Sequence, residues 1–506
     1  MNRRQFLQSL LAGAGAFTLE PSVLQAALSA LPVGAFAPGS QGLDRDPVIH
    51  VIRRLTYGVT PDLVTHVRQI GVQAFIDEQL WPEMIDTSAV DALLQPQDGI
   101  LNENGGVLFS TYENHREQVA GALVGAMVTR AVESPRQLYE RVIEFWGNHF
   151  SLYAGKGPVL FLKVDDDRDV IRPKALGRFR ELLGASAHSP AMLIYLDNAQ
   201  SERSHPNENY ARELLELHTL GVNGGYTEDD VKEVARALTG WSVSGRRENS
   251  DGRIEYRYRR MFHDNDEKIV LGTTIPADGG EQDGETVLDL LASHPSTARL
   301  IATKLARRFV ADQPAAALVE RIAAEFMRNG GDIRATLRAL FNDDEFWNAP
   351  PKFKQPYEYT VSLMRALNYH VQDPVRLIRE LRPPLESMGN IPFTWPAPNG
   401  FPDVMGTWVN GLLMRWNLAM VGVSGQIDNA ATADADGLLA LFAANEVPFE
   451  TEPVIDFLGG YLFGRGLTDQ ERTIVVDFAT ANGTDTDTQV RSALALMLAS
   501  PAFQYR

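Results

Sequence analysis

The chain has no cysteine among its 506 residues, which excludes disulfides, thiolate metal sites and cysteine nucleophiles together. Any metal would have to be held by histidine or by oxygen donors. Positive charge is also scarce, because 47 Lys and Arg face 65 Asp and Glu for a net charge of −18. Such a surface repels nucleic-acid phosphates and anionic membranes, so nucleic acid is not an expected partner. Long apolar runs are missing. The N-terminal stretch from Leu10 to Leu19 is broken by Gly13, Gly15 and Thr18, too short and too weakly apolar to span a bilayer, so no stable membrane span is expected once it is removed. Nucleotide and calcium fingerprints are absent as well. Gly221, Gly224 and Gly225 do not form a phosphate cradle after a strand, and placing Gly225 at the glycine of a calcium loop puts Leu220 where the first carboxylate must stand. These glycines are expected to stop one helix and reverse the chain.

What is present begins with an address. Asn2-Arg3-Arg4-Gln5-Phe6-Leu7 precedes the broken apolar run, and small residues follow near Ala26 to Ala30. This pattern reads as a twin-arginine export signal over residues 1–30, sending the mature chain to the periplasm or beyond. That route carries proteins already folded, which permits a bound cofactor without requiring one. Residues 31–46 are rich in Gly, Pro and Ala and lack periodicity, as a flexible tether would. The folded domain is expected over 47–506, and 44% hydrophobic composition can fill its core.

The domain reads as mainly α, a large multi-helix unit. Helix starts carry visible capping chemistry at Ser134-Pro135, at Ser189-Pro190 and at Thr227 with Asp230 three residues on. Between Trp241 and Gly272 the period shortens: Ile254, Tyr256 and Tyr258 alternate with charged residues, and Asp264-Asn265-Asp266 turns into Ile269-Val270-Leu271. A small β-hairpin is expected at about 250–272. Helical spacing then resumes from Val287. Two later stretches, about 304–347 and 455–503, match at a constant offset through Ile333, Leu337, Leu340, Phe346 and Val490, Leu494, Met497, Phe503. Either a helical module is duplicated, or amphipathic helices closed by an aromatic resemble one another by chance.

Projected at 100° per residue, Asn207 to Leu220 puts Tyr210, Ala211, Leu214, Leu215 and Leu217 on one face and Glu208, Arg212 and Glu216 on the other, with His218 among the apolar residues. The helix from Arg136 to Phe150 repeats the arrangement, with His149 on the apolar face and Arg141, Glu144 and Asn148 opposite. Packed face to face, His149 and His218 would converge in a shielded pocket, able to hold a metal or trade protons. Glu144, Glu208 and Glu213 would assist, and Arg212 would steer an anion or fix a carboxylate. The plainer alternative makes each histidine a core residue bonded to a backbone carbonyl. The segment from Pro392 to Phe401 is stiff and aromatic, either a platform for a sugar or planar ligand or a rigid cover over the core.

RVIEFWGNHF (141–150), PAMLIYLDN (190–198), PNENYARELLELHTLGVNGGYT (206–227), VKEVARALTGW (231–241), LASHPSTARLIATKLARRFV (291–310) and the Pro398 to Phe401 loop together resemble the bacterial family called domain of unknown function 1800. The resemblance covers almost all of the mature chain. It implies an exported protein, frequently encoded beside a second family that resembles sulfatases and phosphatases, and it supplies no reaction and no catalytic residues. Two functional readings stand at this point. One is an exported enzyme or cofactor-bearing protein built on the buried histidines and carboxylates. The other is a non-catalytic scaffold that binds a sulfatase/phosphatase-like neighbour or a glycan.

Overall fold

The computed structural model describes residues 19–38, 45–245, 248–249 and 251–506, so the twin-arginine motif at Arg3-Arg4 lies outside the described residues. Helices dominate, as the spacing predicts, and short antiparallel sheets are the only β structure among the described residues. No described helix is long and apolar enough to cross a membrane. The capping chemistry is realised unevenly. Thr227 and Asp230 form the full capping box at the start of Glu228–Ala237, whereas the Ser189 hydroxyl turns away from its helix to donate to the buried Asp166 carboxylate at 2.9 Å. A buried carboxylate needs a donor more than a helix end does, since other groups can satisfy the end.

The expected small β-hairpin is present at the end of the segment, where Lys268–Val270 pairs with Thr273–Ile275 across Leu271-Gly272; Tyr256–Tyr258 pairs separately with Trp241–Val243. A third sheet joins Tyr369–Val371, Ala431–Ala433 and Gln426–Ile427; strands this short carry too little alternation to be read from sequence. The stretches around 304–347 and 455–503 share an order of elements. Pro295–Phe309, Ala316–Arg328 and Ile333–Phe341 precede buried Phe346, and Thr451–Phe463, Asp469–Asn482 and Thr486–Ala499 precede buried Phe503.

The N-terminal segment is not free where it is described. Helix Pro21–Ser29 packs on Leu412–Gly422 and Thr486–Ala499, burying Leu24 and Leu28. Phe36 is fully buried and meets Phe463 edge-on at 6.2 Å. Within residues 31–38, Ala35 and Phe36 are buried against the body, whereas Val33 is exposed. The rest of the expected linker, residues 39–44, lies outside the described residues.

One buried ion cluster ties distant helices together. Glu358, on helix Pro356–Ala366, is almost wholly buried. Its Oε1 lies 3.0 Å from Arg141 Nη1 and 2.7 Å from Arg506 Nε. Arg141 makes no aligned hydrogen bond; it is held by this charge and by the face of Tyr57, 4.9 Å from its guanidinium carbon. Arg506 in turn donates to the carbonyl of Arg308 at 2.6 Å. Burial alone would raise the Glu358 carboxyl, but Arg141, Arg506, Arg308 and Lys354 outweigh it and hold the group at about 2, below its ordinary 4.5.

Replacing Glu358→Gln strands these cations without a counter-charge and is expected to destabilise the fold by about 3–5 kcal/mol at neutral pH. Because the folded carboxyl titrates below the unfolded one, its contribution is complete above 4.5 and is lost as pH falls towards 2. Urea unfolding of both proteins across that range should show the gap between them closing as the medium becomes acidic. A gap independent of pH would refute the assignment.

Candidate functional site

Several remote segments enclose a cleft of about 190 Å³. Helix Gln137–His149 contributes Glu144, Asn148 and His149. Helix Pro295–Phe309 contributes Lys304, Arg307 and Arg308, and the 390–403 loop closes the opening with Phe393, Trp395, Phe401 and Asp403. Gln355 and Tyr357 line it from the start of the Glu358 helix.

The expected meeting of the two histidines is found, in a form between the two readings. The rings of His149 and His218 lie 6.0 Å apart between centroids, and both residues are buried. The direct bond, however, runs from ring to backbone: His149 Nε2 sits 3.1 Å from the carbonyl of His218. A carbonyl only accepts, so Nε2 carries the proton and Nδ1 bears the lone pair. That lone pair receives a hydrogen bond from Lys304 Nζ at 2.9 Å, and Lys304 also donates to the Leu217 carbonyl at 3.3 Å.

These two carbonyls are available because of how their helix ends. The chain is α-helical over Glu208–Glu213 and widens to a π turn over Leu214–Thr219. The last carbonyls of a helix have no partner within it and form the negative end of its dipole. Leu217 and His218 turn theirs toward Lys304 and His149. The π turn also shifts the face that a uniform 100° projection gives. Leu217, expected inside, is half-buried, while Thr219 is buried and bonds to the carbonyl of Leu214 at 2.6 Å.

Both imidazoles are neutral. Burial pushes His218 down to about 3, assisted by Lys304, and burial followed by Lys304 and His218 takes His149 well below its usual value. Both nitrogens of His149 are engaged, and among the described residues no group of three or more His, Asp and Glu converges on one point. In this arrangement the pair does not constitute the metal site that His149 and His218 were expected to form. His218 Nε2 is buried without a hydrogen-bond partner. Lys304 is itself pushed down to about 8, chiefly by burial and then by Arg307.

The carboxylates of the cleft are all taken. Glu144 Oε2 accepts from Tyr57 at 2.8 Å and from Arg308. Asp403 lies 3.1 Å from Lys352 and 3.9 Å from Arg308; these cations overcome the effect of burial and hold its carboxyl low. Asp167 pairs with Arg172 at 2.7 Å. Among the described residues Lys304 and Arg307 have no carboxylate partner, and Arg307 bonds the Asp312 carbonyl at 3.1 Å.

The loop is fixed to the helix by Asn148, whose side chain accepts from the Phe401 amide at 2.7 Å and donates to the Phe401 carbonyl at 2.9 Å. Gly400 permits that approach. Its φ is +69°, and a Cβ there would lie 2.3 Å from the carbonyl oxygen of Asn148. The loop's rings pack on one another, Trp395 on Phe401 at 5.3 Å and Phe401 on Trp408 at 6.0 Å, so it serves as cover and as wall at once.

Of the residues expected from sequence, the cleft gathers His149 and Glu144, with His218 behind it supplying a carbonyl. Glu208, Arg212 and Glu213 do not line it. Arg212 does fix a carboxylate, but on the surface, pairing with Glu228 at 2.7 Å and Glu208 at 3.7 Å. Glu213 is half-buried, its carboxyl raised by burial and by Glu216. His263, beside Asp264, follows a short 3-10 turn and is structural, bonding the Thr239 carbonyl at 2.8 Å and Asp283 at 3.1 Å. The residues missed are Lys304, Arg307, Arg308 and Asp403. Three cations gathered at 304, 307 and 308 on one amphipathic helix were the available signal.

Residues 50–505 match the model of a family described as protein of unknown function, DUF1800. The chain belongs to the DUF1800 family. No curated protein and no solved structure matches it. Every cleft residue of this DUF1800 protein lies inside the matched region.

Gly400→Ala is expected to lift the loop from the end of helix Gln137–His149, since Asn148 presents rigid backbone at the clash. Hydrogen exchange at the Phe401 amide should accelerate by at least about tenfold, while amides in Thr486–Ala499 keep their protection. Unchanged exchange at Phe401 would show that the glycine is not what seats the loop.

Proposed function

We propose that this protein is an exported enzyme that carries out proton-transfer chemistry on a small molecule held in the cleft. Lys304 is the group that takes up and returns the proton, and His149 orients it. The arrangement of Lys304 carries the reading: a half-buried amine that bonds only neutral acceptors, the Nδ1 of His149 and the carbonyl of Leu217, at the wall of a cavity. Here the nearest carboxylates are already neutralised, and burial brings the amine to about 8, where protonated and free forms coexist near neutral pH.

His149 is suited to positioning and not to titration, because its proton is committed to the His218 carbonyl. Glu144 and Arg308, locked together and to Tyr57, form a fixed dipole beside the amine rather than a second base. The export motif at Arg3-Arg4 supports delivery to the periplasm or beyond. The scaffold reading, in which the protein docks a sulfatase/phosphatase-like partner or a glycan, uses the aromatic loop and asks nothing of Lys304.

The two readings part on one residue. Amine-directed labelling followed by peptide mapping should show Lys304 reacting with a midpoint near pH 8, well below the exposed lysines. Incubating the native protein with a periplasmic small-molecule extract should change the amount of at least one compound, and Lys304→Met should abolish that change while keeping the unfolding midpoint. Lys304 reacting like a surface lysine, or Lys304→Met processing the extract as the parent does, would sink the enzymatic reading.

A further inference from the structure

We propose that the ligand of this cleft is a small cyclic molecule bearing an oxyanion, a carboxylate, sulfate or phosphate, that Arg307 receives and Lys304 flanks. This deepens the enzymatic reading for Lys304, whereas the role of Arg307 stands without it. Charge accounting within the cleft carries the inference. Glu144, Asp403 and Asp167 each face a cation at salt-bridge distance, and the imidazole of His149 is neutral. Two cations one turn apart on helix Pro295–Phe309 are left over, since Arg307 donates its Nε to a carbonyl and pairs with no carboxylate.

A chain with net charge −18 has acidic residues to spare for neutralising those two cations. Yet the acidic side chains lining the cleft are committed to other partners, leaving positive charge facing a cavity roofed by aromatic rings. The surface field does not cancel this local charge, because free charges beyond about 8 Å are screened at physiological ionic strength. Arg307 offers a planar fork suited to two oxygens of one anion. Trp395 and Phe401 line the same space, presenting ring area to the rest of the ligand. A volume of about 190 Å³ suits one small ring at a time.

The test compares sodium glucuronate, glucose, inorganic phosphate and inorganic sulfate as ligands of the full-length native protein, by calorimetry at low salt. Glucuronate should bind saturably and more tightly than glucose. Arg307→Gln should weaken glucuronate by at least about tenfold while keeping the urea midpoint, as expected for a half-buried residue with one carbonyl bond. Phosphate or sulfate competing more strongly than glucuronate binds would assign the oxyanion to that class. Equal binding of glucose and glucuronate, or an Arg307→Gln variant that binds glucuronate like the parent, overturns the inference. Lys304 labelling distinguishes the two failures: a midpoint near pH 8 without anion binding removes this inference alone, and anion binding with surface-like Lys304 reactivity removes the enzymatic reading alone.

Discussion

The buried carboxylate of Glu358 is the interaction on which the rest depends. It stands among more cations than it can neutralise, with Arg141 and Arg506 in contact and Arg308 and Lys354 close enough to act on it. Unpaired, any of these would pay heavily for leaving water. The fold spreads them over other acceptors. Arg54 donates to the carbonyls of Val310 and Pro350, Arg415 to that of Lys354 at 2.8 Å, and Lys354 lies 3.7 Å over the ring of Phe503. Carbonyl oxygens and aromatic faces thus carry positive charge that carboxylates do not. Glu358 sets the geometry, because Arg141 belongs to the helix of Glu144 and His149, while Arg506 grips the backbone of Arg308. The two walls of the cleft are held in register from behind.

That support explains why a lysine can sit beside a neutral histidine in the open part of the site. The carboxylates that line the cleft are claimed deeper in the network, Glu144 by Tyr57 and Arg308, Asp403 by Lys352. The partners left to the amine are the free carbonyl of Leu217 and the lone pair of His149. The partial negative charge of a helix end gives it some stabilisation without a full counter-ion. Burial then lowers its proton affinity further than that end raises it, consistent with a value of about 8.

The architecture was legible in the sequence where it depended on period and local chemistry. The helical spacing, the Thr227–Asp230 box, the chain reversal at Gly221 and the burial of His149 and His218 are all found. The site was legible in part, for two physical reasons. A projection at fixed angle assumes every turn alike, and the π turn over Leu214–Thr219 breaks that assumption where the site begins. Binary patterning also treats a polar face as a solvated face. Arg141 is wholly buried and Glu144 largely so, since the face opposite the apolar one meets the ion cluster rather than water. Arg212 and Glu208 carry the same residue types one turn apart and do face water. Nothing local distinguishes the two helices; what differs is the element packed against each.

The missing half of the site has the same cause. Lys304, Arg307 and Arg308 lie on an amphipathic helix whose polar positions read as ordinary surface, and their meaning comes from a loop about ninety residues further along the chain. That loop could be recognised as stiff and aromatic but not placed. Its placement rests on Asn148 and on the absence of a side chain at Gly400, together with Tyr195, which donates to the Pro396 carbonyl at 3.0 Å, and the Ala154 amide, which donates to the Phe393 carbonyl at 2.9 Å. A polar residue on the supposed outer face of one helix and a glycine with positive φ are thus two halves of one joint. With that joint closed, Trp395 and Phe401 line the same cleft as Lys304 and Arg307. Electrostatic attraction strengthens as the local dielectric falls, so on the proposed reading the aromatic cover and these two cations would act together on a small anion.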